Sequence, residues 1–467
     1  MTFTRYKKIY NKTYAYQVWK EKDQNGKWKQ KSKYLGVIDP QTNTYNKKPQ
    51  EKQEQQILDY GDTYLLNNIT KQLPIHNILK TTFGTHFDTL MSLIFHRITT
   101  NQAMRHAENW YNGNYIKHLY PKAQTTSQDI SKFLTYLGRE NIQRAFFSSY
   151  IPLVCTGKSS VVIDSTGLPN EINMSVTDWG YHNGGIEYET RLILAVERLS
   201  ELPLYFRYVA GNVGDVSTLA TTILEMKKHG ITTSSALIDA GYYSEANLKL
   251  LFDAEISFLI RLPSNRVVYK EVVAQNMDVE SSRFVVAFGK RGLFVKEVEV
   301  GVCGKKVFGY LVLDPQRRGQ EISRAVLDMG ENASSVEALV DFSGCGKMVL
   351  LSSVQLRCDE VVPLYYTGQV VERLFGIAKD DLGILPLRTH SEPNFKGFMM
   401  LVFISLIVLC GVKARLGKKF SIEQVLVALR NLKCKVFEDQ IIPSEVTKEQ
   451  RLILETTNTM VPKVSGI

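Results

Sequence analysis

Two aspartates stand at the ends of short apolar runs, where a carboxylate could do chemistry. Asp164 ends the run in SSVVIDSTG, and Asp239 ends the run in SSALIDAGYYS. The segments between and after these runs alternate between strand and helix patterns, which predicts a sheet that is at least partly parallel. Ligands gather beyond the carboxyl ends of the strands in such sheets. The pattern therefore predicts that both aspartates lie at one sheet edge, although a lone aspartate after a strand is commonly a turn former or helix N-cap.

A third carboxylate falls on a helix that the sequence predicts over residues 363–380. Tyr365, Glu372 and Lys379 recur there at intervals of seven, a spacing that would place all three on one helical face. If this face covered the two strand ends, three carboxylates would converge, flanked by a phenol and an ammonium group. A solvated helical face is the alternative explanation for a Glu and a Lys at this spacing.

Three converging carboxylates would repel one another unless a cation neutralised them or one of them took up a proton. Oxygen ligands without His or Cys favour Mg²⁺ or Mn²⁺ over zinc. Two such ions about 4 Å apart can activate a nucleophile and stabilise the leaving oxygen of a phosphoryl displacement. We therefore predict that Asp164, Asp239 and Glu372 are both the catalytic residues and the metal ligands. Tyr365 and Lys379 would hold phosphates beside them.

The elements that must position these residues follow from the patterns around them. Strands are predicted at RLILAVERL, LPLYFRYVA and ISFLIRL, and helices over 217–229 and 244–253. Residues 265–354 are alternating, β-rich and punctuated by glycine, which indicates an insertion. The predicted segments are a basic β-hairpin arm and linker (1–58), a helical region assigned to DNA binding with plain helical packing as the alternative (59–150), a first core part (151–264), the β-rich insertion (265–354), a second core part (355–415) and a helical C-terminal tail (416–467).

Nearly all of the excess positive charge lies in the first tenth of the chain. The formal net charge is +10, and residues 1–50 hold twelve Lys and Arg against three acidic residues. Tyr and Trp side chains interleave with these lysines, and Asn25-Gly26 is a turn signal between two strand-like runs, so a β-hairpin is predicted. A basic, aromatic hairpin suits contact with a nucleic-acid backbone, and a solvated charged face is the alternative.

The remaining composition argues against several other classes of protein. Hydrophobic residues make up 44% of the chain, which is enough to bury a core. The six cysteines form no C-x-x-C pair, so neither a zinc ribbon nor a disulfide framework is expected, and a reducing cytoplasm fits best. The apolar run from Phe398 to Val412 is shorter than the ~20 residues that span a bilayer. We therefore predict a buried core helix there, and no membrane partner.

The order of these parts resembles that of the bacterial insertion-sequence transposases of the DDE type. Those proteins carry a β-rich insertion between the second Asp and the Glu, and their Glu lies in a Tyr-Arg-Glu-Lys signature spaced Y-x2-R-x3-E-x6-K. Tyr365, Glu372 and Lys379 match this signature. Asp164 and Asp239, 75 residues apart, match the two aspartates, and the 133 residues from Asp239 to Glu372 leave room for the insertion. Further similarity runs through LGILPLRTHSEPNFKGFMMLVFISLIV.

This resemblance covers most of the chain and implies an α/β fold with an RNase H-like catalytic core interrupted by the insertion. It also implies cut-and-paste chemistry that depends on Mg²⁺ or Mn²⁺. Hydrolysis would free a 3′-OH at each element end, and that hydroxyl would attack target DNA. The implied partners are double-stranded DNA, as terminal repeats and as target, and a second copy of the chain on that DNA. Such a protein would work in the bacterial cytoplasm, at the nucleoid.

One position departs from the family signature. Gly368 stands where the family has arginine, so a guanidinium expected to hold a DNA phosphate is missing. Arg373 is near in sequence but roughly 100° round the helix, which makes it a poor substitute, although it is kept as a candidate DNA contact.

Three functional hypotheses are compatible with these observations. The three carboxylates favour an active transposase, whereas the missing arginine favours a transposase-derived DNA-binding protein that has lost cleavage. A two-carboxylate hydrolase of sugars would need no metal, but it explains neither the basic arm nor the tyrosine and lysine beside Glu372.

Overall fold

The computed structural model describes residues 2–10, 12–22, 27–39, 44–46, 56–155, 157–182, 185–331, 342–389 and 391–466. The chain forms two compact units. The first comprises Met1–Ile57, Cys434–Pro443 and Lys463–Ile467, and the second comprises Leu58–Lys433 and Ser444–Pro462.

The first unit begins with an antiparallel sheet. Its strands are β1 (Thr2–Ile9), β2 (Lys12–Lys22), β3 (Trp28–Ile38) and β4 (Tyr45–Asn46), paired in chain order. The antiparallel pairing of β2 with β3 confirms the predicted hairpin, whose turn at Asn25-Gly26 lies outside the described residues. Along β2 only Ala15 and Val18 are buried, and every residue of β1 is exposed. The sheet therefore keeps most of its basic and aromatic side chains in contact with solvent.

A short strand, β5 (Gln56–Asp59), precedes the predicted helical region, and seven helices confirm that region as helical. The third of them is buried along nearly its whole length because its apolar residues face neighbours on several sides. The helices are α1 (Gly61–Gln72), α2 (Ile75–Phe83), α3 (Phe87–Thr100), α4 (Ala107–Asn112), α5 (Ile116–Leu119), α6 (Ser127–Leu137) and α7 (Glu140–Val154).

The central sheet contains the predicted catalytic core. Its elements are β6 (Ser159–Pro169), β7 (Asp178–His182), β8 (Gly185–Glu197), β9 (Pro203–Ala210), α8 (Asp215–Lys228), β10 (Thr233–Ile238), α9 (Glu245–Asp253) and β11 (Ser257–Leu262). Five strands lie in the order β9-β8-β6-β10-β11. Strands β6, β10 and β11 are parallel, and β8 is antiparallel to both of its neighbours in this order. This order and these directions are those of an RNase H-like core, which confirms the predicted fold class.

The β-rich insertion extends the same sheet instead of forming a separate one. Its elements are α10 (Val267–Gln275), β12 (Val285–Phe288), β13 (Arg291–Val302), β14 (Lys305–Leu313), α11 (Pro315–Glu331) and β15 (Lys347–Ser352). Strand β15 is antiparallel to β11 on one side and to β14 on the other, so the sheet runs on to ten strands. The insertion is thereby joined through backbone hydrogen bonds to β11, which lies beside the strand that precedes Asp239.

The last part of the chain supplies the remaining helices and strands. They are α12 (Cys358–Tyr366), α13 (Gln369–Gly376), a π-helix (Ile377–Asp381), α14 (Glu392–Leu416), α15 (Ile422–Arg430), β16 (Lys433–Val436), β17 (Gln440–Pro443), α16 (Lys448–Thr456) and β18 (Ser465–Gly466). The C-terminal tail over 416–467 is predicted to be helical, but only part of it is. Helix α15 ends at Arg430, and alternating burial at Cys434 and Val436 marks β16, which pairs with β17.

Helix α14 contains the long apolar run. It is long and apolar enough to cross a membrane by length and composition, but 83% of its most apolar 18-residue window is buried within the protein. It packs against α6 and α3 and against β9 of the sheet. The run is therefore the core helix that the sequence predicts.

Candidate active site

The two predicted aspartates lie side by side on neighbouring parallel strands. Asp164 lies within β6 and Asp239 directly follows β10, and the register pairs Ile163 with Ile238, the residues just before them. Both aspartates line a cavity of about 260 Å³ at this sheet edge, and Glu372 lines it as well. The structure thus brings the three predicted carboxylates to one cavity.

Asp164 carries the clearest electrostatic signature of this convergence. Burial, together with the nearby negative charges of Asp239, Asp215 and Glu372, raises its pKa to about 7. The backbone N–H of Ser165 donates to Asp164 Oδ1 at 2.8 Å and opposes this rise. A carboxyl group in such surroundings holds its negative charge only at a cost, unless a cation is near.

The donor chemistry of this cavity fits a divalent cation. Its carboxylates provide hard oxygen ligands, the kind that Mg²⁺ and Mn²⁺ prefer. In the part of the chain that the structure describes, no three His, Cys, Asp or Glu side chains are grouped closely enough to hold an ion as they stand. The carboxylates share the cavity and its electrostatics.

The predicted single helix over 363–380 is wrong in detail. It is divided into α12, α13 and the π-helix, with the first break at Thr367 and Gly368. At this break the backbone N–H groups of Gly368 and Val371 donate to carbonyls three residues back, a tighter turn than the α-helix. Glycine has a low helix propensity, which accounts for the break. Tyr365, Glu372 and Lys379 therefore do not share one continuous helical face.

Tyr365 and Lys379 nevertheless reach the strands that carry the aspartates. The Tyr365 hydroxyl donates to Asp239 Oδ1 at 2.9 Å, and burial together with the charge of Asp239 raises the pKa of this phenol. Lys379 Nζ donates to Thr166 Oγ1 at 2.7 Å, two residues beyond Asp164 on β6. Burial lowers the pKa of Lys379, which does not line the carboxylate cavity.

Arg373 points to a different neighbour. It follows Glu372 on α13 and forms an ion pair with Glu201, and both side chains are about half exposed. It does not line the carboxylate cavity. The structure thus separates Arg373 from the other predicted residues, and its contact with DNA stays a prediction.

Two arginines that the sequence analysis did not single out line the carboxylate cavity. Arg261 comes from β11, and Arg317 comes from α11 in the insertion. Arg261 lies beside Tyr365, and its charge lowers the pKa of that phenol against the larger effect of burial. The sequence signal for Arg261 was its place as the one charged residue in the apolar strand ISFLIRL. Arg317 gave no such signal, because only the tertiary fold brings α11 to the cavity.

A further carboxylate, Asp215, lies behind Asp164. The Ser165 hydroxyl donates to Asp215 Oδ1, and Arg191 Nη1 donates to the same oxygen at 3.0 Å. Arg191 also pairs with the fully buried Glu189 at 3.4 Å. In the sequence, Asp215 is the last residue of the segment GNVGD, whose glycines indicate a turn. In the structure it is the first residue of α8.

Comparisons with known proteins point to one family. The family model described as the transposase DDE domain matches residues 156–408, more than half of the chain. A search of curated proteins found no match. Among solved structures, the chain is similar to a cryo-EM structure of the piggyBac transposase synaptic complex with hairpin DNA. The identity is 12% and the TM-score 0.43, over 79% of this chain and 75% of that chain.

Proposed function

This chain belongs to the transposase DDE domain family, and from that premise we propose that it cleaves DNA at the ends of an insertion element and transfers the freed strand to target DNA. The observation that carries the proposal is the convergence of Asp164, Asp239 and Glu372 on one cavity. A protein that only bound DNA would have no chemical need to hold three carboxylates against their mutual repulsion.

The three carboxylates would hold a divalent cation, Mg²⁺ or Mn²⁺. When bound, the metal ions would activate the attacking oxygen and stabilise the leaving oxygen of the displacement. The protein side chains keep the donors in place. Tyr365 fixes Asp239 through its hydroxyl, and the Ser165 N–H fixes Asp164. The hydroxyl of the same serine donates to Asp215, so Ser165 links the two aspartates.

Arg261 and Arg317 would hold the phosphate that undergoes reaction. Both guanidinium groups line the carboxylate cavity, and a guanidinium can donate two parallel hydrogen bonds to phosphate oxygens. They would supply the positive charge that the family signature places at the position of Gly368. In this proposal the departure at Gly368 relocates the phosphate contact and leaves catalysis possible.

The basic first unit would bind the DNA backbone. Its exposed side chains include Phe3, Tyr6 and Trp28, interleaved with lysines. Aromatic rings pack on sugars or bases while lysines neutralise phosphates. The proposed partner is double-stranded DNA, bound by a homodimer because two element ends must be brought together. The proposed location is the nucleoid of the bacterial cytoplasm.

Cleavage of duplex DNA that carries the ends of the encoding element tests the proposal. The native chain, Asp239→Asn and the control Asp253→Asn would be compared with and without Mg²⁺; Asp253 is exposed at the end of α9. We expect metal-dependent nicking by the native chain and the control, and none by Asp239→Asn. DNA binding without any nicking would support a transposase-derived binding protein instead. Metal-independent hydrolysis of a glycoside would support the two-carboxylate hydrolase.

A further inference from the structure

A second cavity, outside the carboxylate site, is lined by basic, neutral polar and apolar side chains. It is a groove of about 1220 Å³ in the second unit. One wall is formed by the end of α3, the turn after it and the start of α6, and the other by residues 383–389 and the start of α14. We call it the arginine groove. Small-molecule sites fill roughly 300–1,000 Å³, so this groove is larger than a compact metabolite needs.

The charge in the arginine groove has one sign. Arg97, Arg105 and Arg388 line it, and none of the described residues that line it is acidic. Arg105 and Arg388 are exposed and form no ion pair within the described part of the chain, although Arg105 Nε donates to His106 Nε2 at 3.2 Å. Like charges that face one cavity repel one another, and an anion in the cavity would remove that repulsion.

Arg97 is a positioning residue for the groove and not a free ligand. Its guanidinium is almost fully buried and donates to the carbonyls of Leu382 and Gly383, and to that of Gln102 at 2.9 Å. Burial, followed by the charge of Arg388, lowers the pKa of Arg97 to about 10. Both guanidinium groups line the groove, so the positive charge of Arg388 acts on Arg97.

Neutral donors complete the lining. Ser127, Ser131 and Asn394 line the groove, with Asn394 Nδ2 donating to Ser131 Oγ at 2.8 Å. Thr389 is buried, and its hydroxyl finds no hydrogen-bond partner among the described residues. Arginines together with hydroxyl and amide groups are the usual donors to DNA phosphate and sugar oxygens.

The groove is also attached to the active-site segment. Asn101 Nδ2 donates to the carbonyl of Asp380 at 2.7 Å, next to Lys379 in the π-helix. Arg97 holds the two residues that follow this helix. A strand in the groove would therefore lie against the same segment that carries Lys379.

We propose that the arginine groove binds the sugar-phosphate backbone of DNA, as a contact separate from the carboxylate cavity. Arg105 and Arg388 are the direct phosphate ligands, and Thr389 and Ser131 add neutral hydrogen bonds. The proposal rests on the proposed function, since it takes the ligand to be the DNA on which the enzyme acts.

The proposal is tested by measuring how tightly the double variant Arg105→Gln/Arg388→Gln binds duplex DNA. Fluorescence anisotropy would be measured between 50 and 300 mM salt on the full chain, with Arg451→Gln on the exposed side of α16 as the matched control. We expect the slope of log K against log salt to fall by about 2 for the double variant, since each phosphate contact contributes about 0.9. Affinity at moderate salt should fall about tenfold or more, and the control should match the native chain.

Protection from thiol labelling gives a second readout at the groove itself. Ser131→Cys would be labelled with a maleimide with and without DNA, and Glu455→Cys on α16 would serve as control, each site being followed by peptide mass spectrometry. We expect DNA to protect position 131 only. The proposal that the groove binds DNA would be rejected by either of two results. One is equal labelling of position 131 with and without bound DNA, and the other is an unchanged salt slope in the double variant.

These outcomes separate the groove from the proposed function. If the native chain cleaves DNA and the groove variants bind DNA as tightly as the native chain, the proposal for the groove is rejected and the proposed function stands. A chain that never cleaves, but whose binding weakens in the groove variants, would support the groove and overturn the proposed cleavage. A native chain that binds no duplex DNA at low salt would overturn both.

Discussion

The hydroxyl of Tyr365 donates a 2.9 Å hydrogen bond to Oδ1 of Asp239. The two residues are 126 positions apart, and the bond joins α12 to the end of β10. It fixes one of the three proposed ligand carboxylates before any metal arrives. The bond also leaves the other oxygen of Asp239 available to a cation.

Replacing Tyr365 by Phe should lower the rate of cleavage about tenfold or more. The reason is that a hydrogen bond to a charged group contributes about 1.5–3 kcal/mol, and without it Asp239 is free to turn. Single-turnover cleavage over a range of Mg²⁺ concentrations would measure the loss. We expect the Mg²⁺ requirement to rise as well.

Tyr136→Phe on α6 is the control for this change, because Tyr136 packs against His86 outside the carboxylate cavity. Native cleavage by Tyr365→Phe at every Mg²⁺ concentration would show that the bond to Asp239 has no part in catalysis.

The positions of Asp164 and Asp239 follow from the sequence because local patterns decide them. Each ends an apolar run, and the parallel pairing of β6 with β10 sets the two aspartates side by side, although β6 itself continues past Asp164 to Pro169. The family spacing then identified Glu372. The same reasoning could not give Arg261 or Arg317. Arg261 reaches the cavity because β11 pairs with β10, and Arg317 reaches it because tertiary packing brings α11 of the insertion there.

The continuous helical face was the main error in the predicted site. Spacing by seven assumes an unbroken helix, but Gly368 introduces a tighter turn and the helix ends in a π-helical segment. Tyr365 and Lys379 still contact the aspartate strands because tertiary packing, and not helix periodicity, sets their positions. The helix propensity of glycine predicts that the helix is weakened at Gly368, but it cannot predict which way the chain turns there.

Replacing Arg261 by Gln should reduce cleavage about ten- to a hundredfold with little change in overall fold. The guanidinium is one of two that line the carboxylate cavity, and charge-assisted hydrogen bonds to phosphate contribute roughly 1.5–3 kcal/mol. Cleavage rate and thermal unfolding would be measured together. Arg261→Lys should recover only part of the rate, because a point charge lacks the planar pair of donors.

A double substitution examines whether Arg261 takes over the role lost at Gly368. Arg261→Gln combined with Gly368→Arg should recover some of the rate, since both positions line one cavity. Recovery should be incomplete. A Cβ at position 368 would lie 3.1 Å from the Tyr365 carbonyl oxygen and 3.3 Å from Leu237 Cδ2, so these neighbours must shift. Full activity of Arg261→Gln alone would remove this arginine from the proposed phosphate site.

Lys379→Met should also weaken cleavage by about tenfold or more. The ammonium group contacts Thr166 Oγ1 on the strand that carries Asp164, and burial has lowered its pKa. Removing it takes one positive charge from beside the carboxylates. Rate and salt dependence of DNA binding would be measured, and a phosphate contact would show as a salt slope smaller by about 0.9.

Thr166→Val is the matched control for Lys379, since it removes the hydroxyl and keeps the ammonium group. It should retain most of the activity and the native salt slope. If Thr166→Val proved as damaging as Lys379→Met, the role of Lys379 would be to hold β6 in place, and the phosphate contact would be rejected.

His96 should make an unfavourable contribution to the free energy of unfolding as the pH is lowered from 7 to 5. His96 is fully buried on α3, and neither ring nitrogen has a hydrogen-bond partner among the described residues. Burial, followed by the charges of Arg97 and His106, lowers its pKa to about 3. In the unfolded chain the pKa returns to about 6.5, so between these values only the unfolded state binds the proton.

The direction of the pH effect on stability follows from the difference between the folded and unfolded pKa values of His96. Above about pH 6.5 the ring is neutral in both states and stability is not affected, whereas below it protonation favours the unfolded chain. Lowering the pH from 7 to 5 should cost about 2 kcal/mol through this residue. Urea unfolding of the native chain and of His96→Phe would be measured at both pH values. The free energy of unfolding should depend less on pH in the variant than in the native chain. The pKa values of the Asp62 and Asp164 carboxyl groups are raised by burial, so these two residues act with the opposite sign, but they do so equally in both chains. An identical pH dependence in the two chains would mean that His96 is accessible to protons in the folded state.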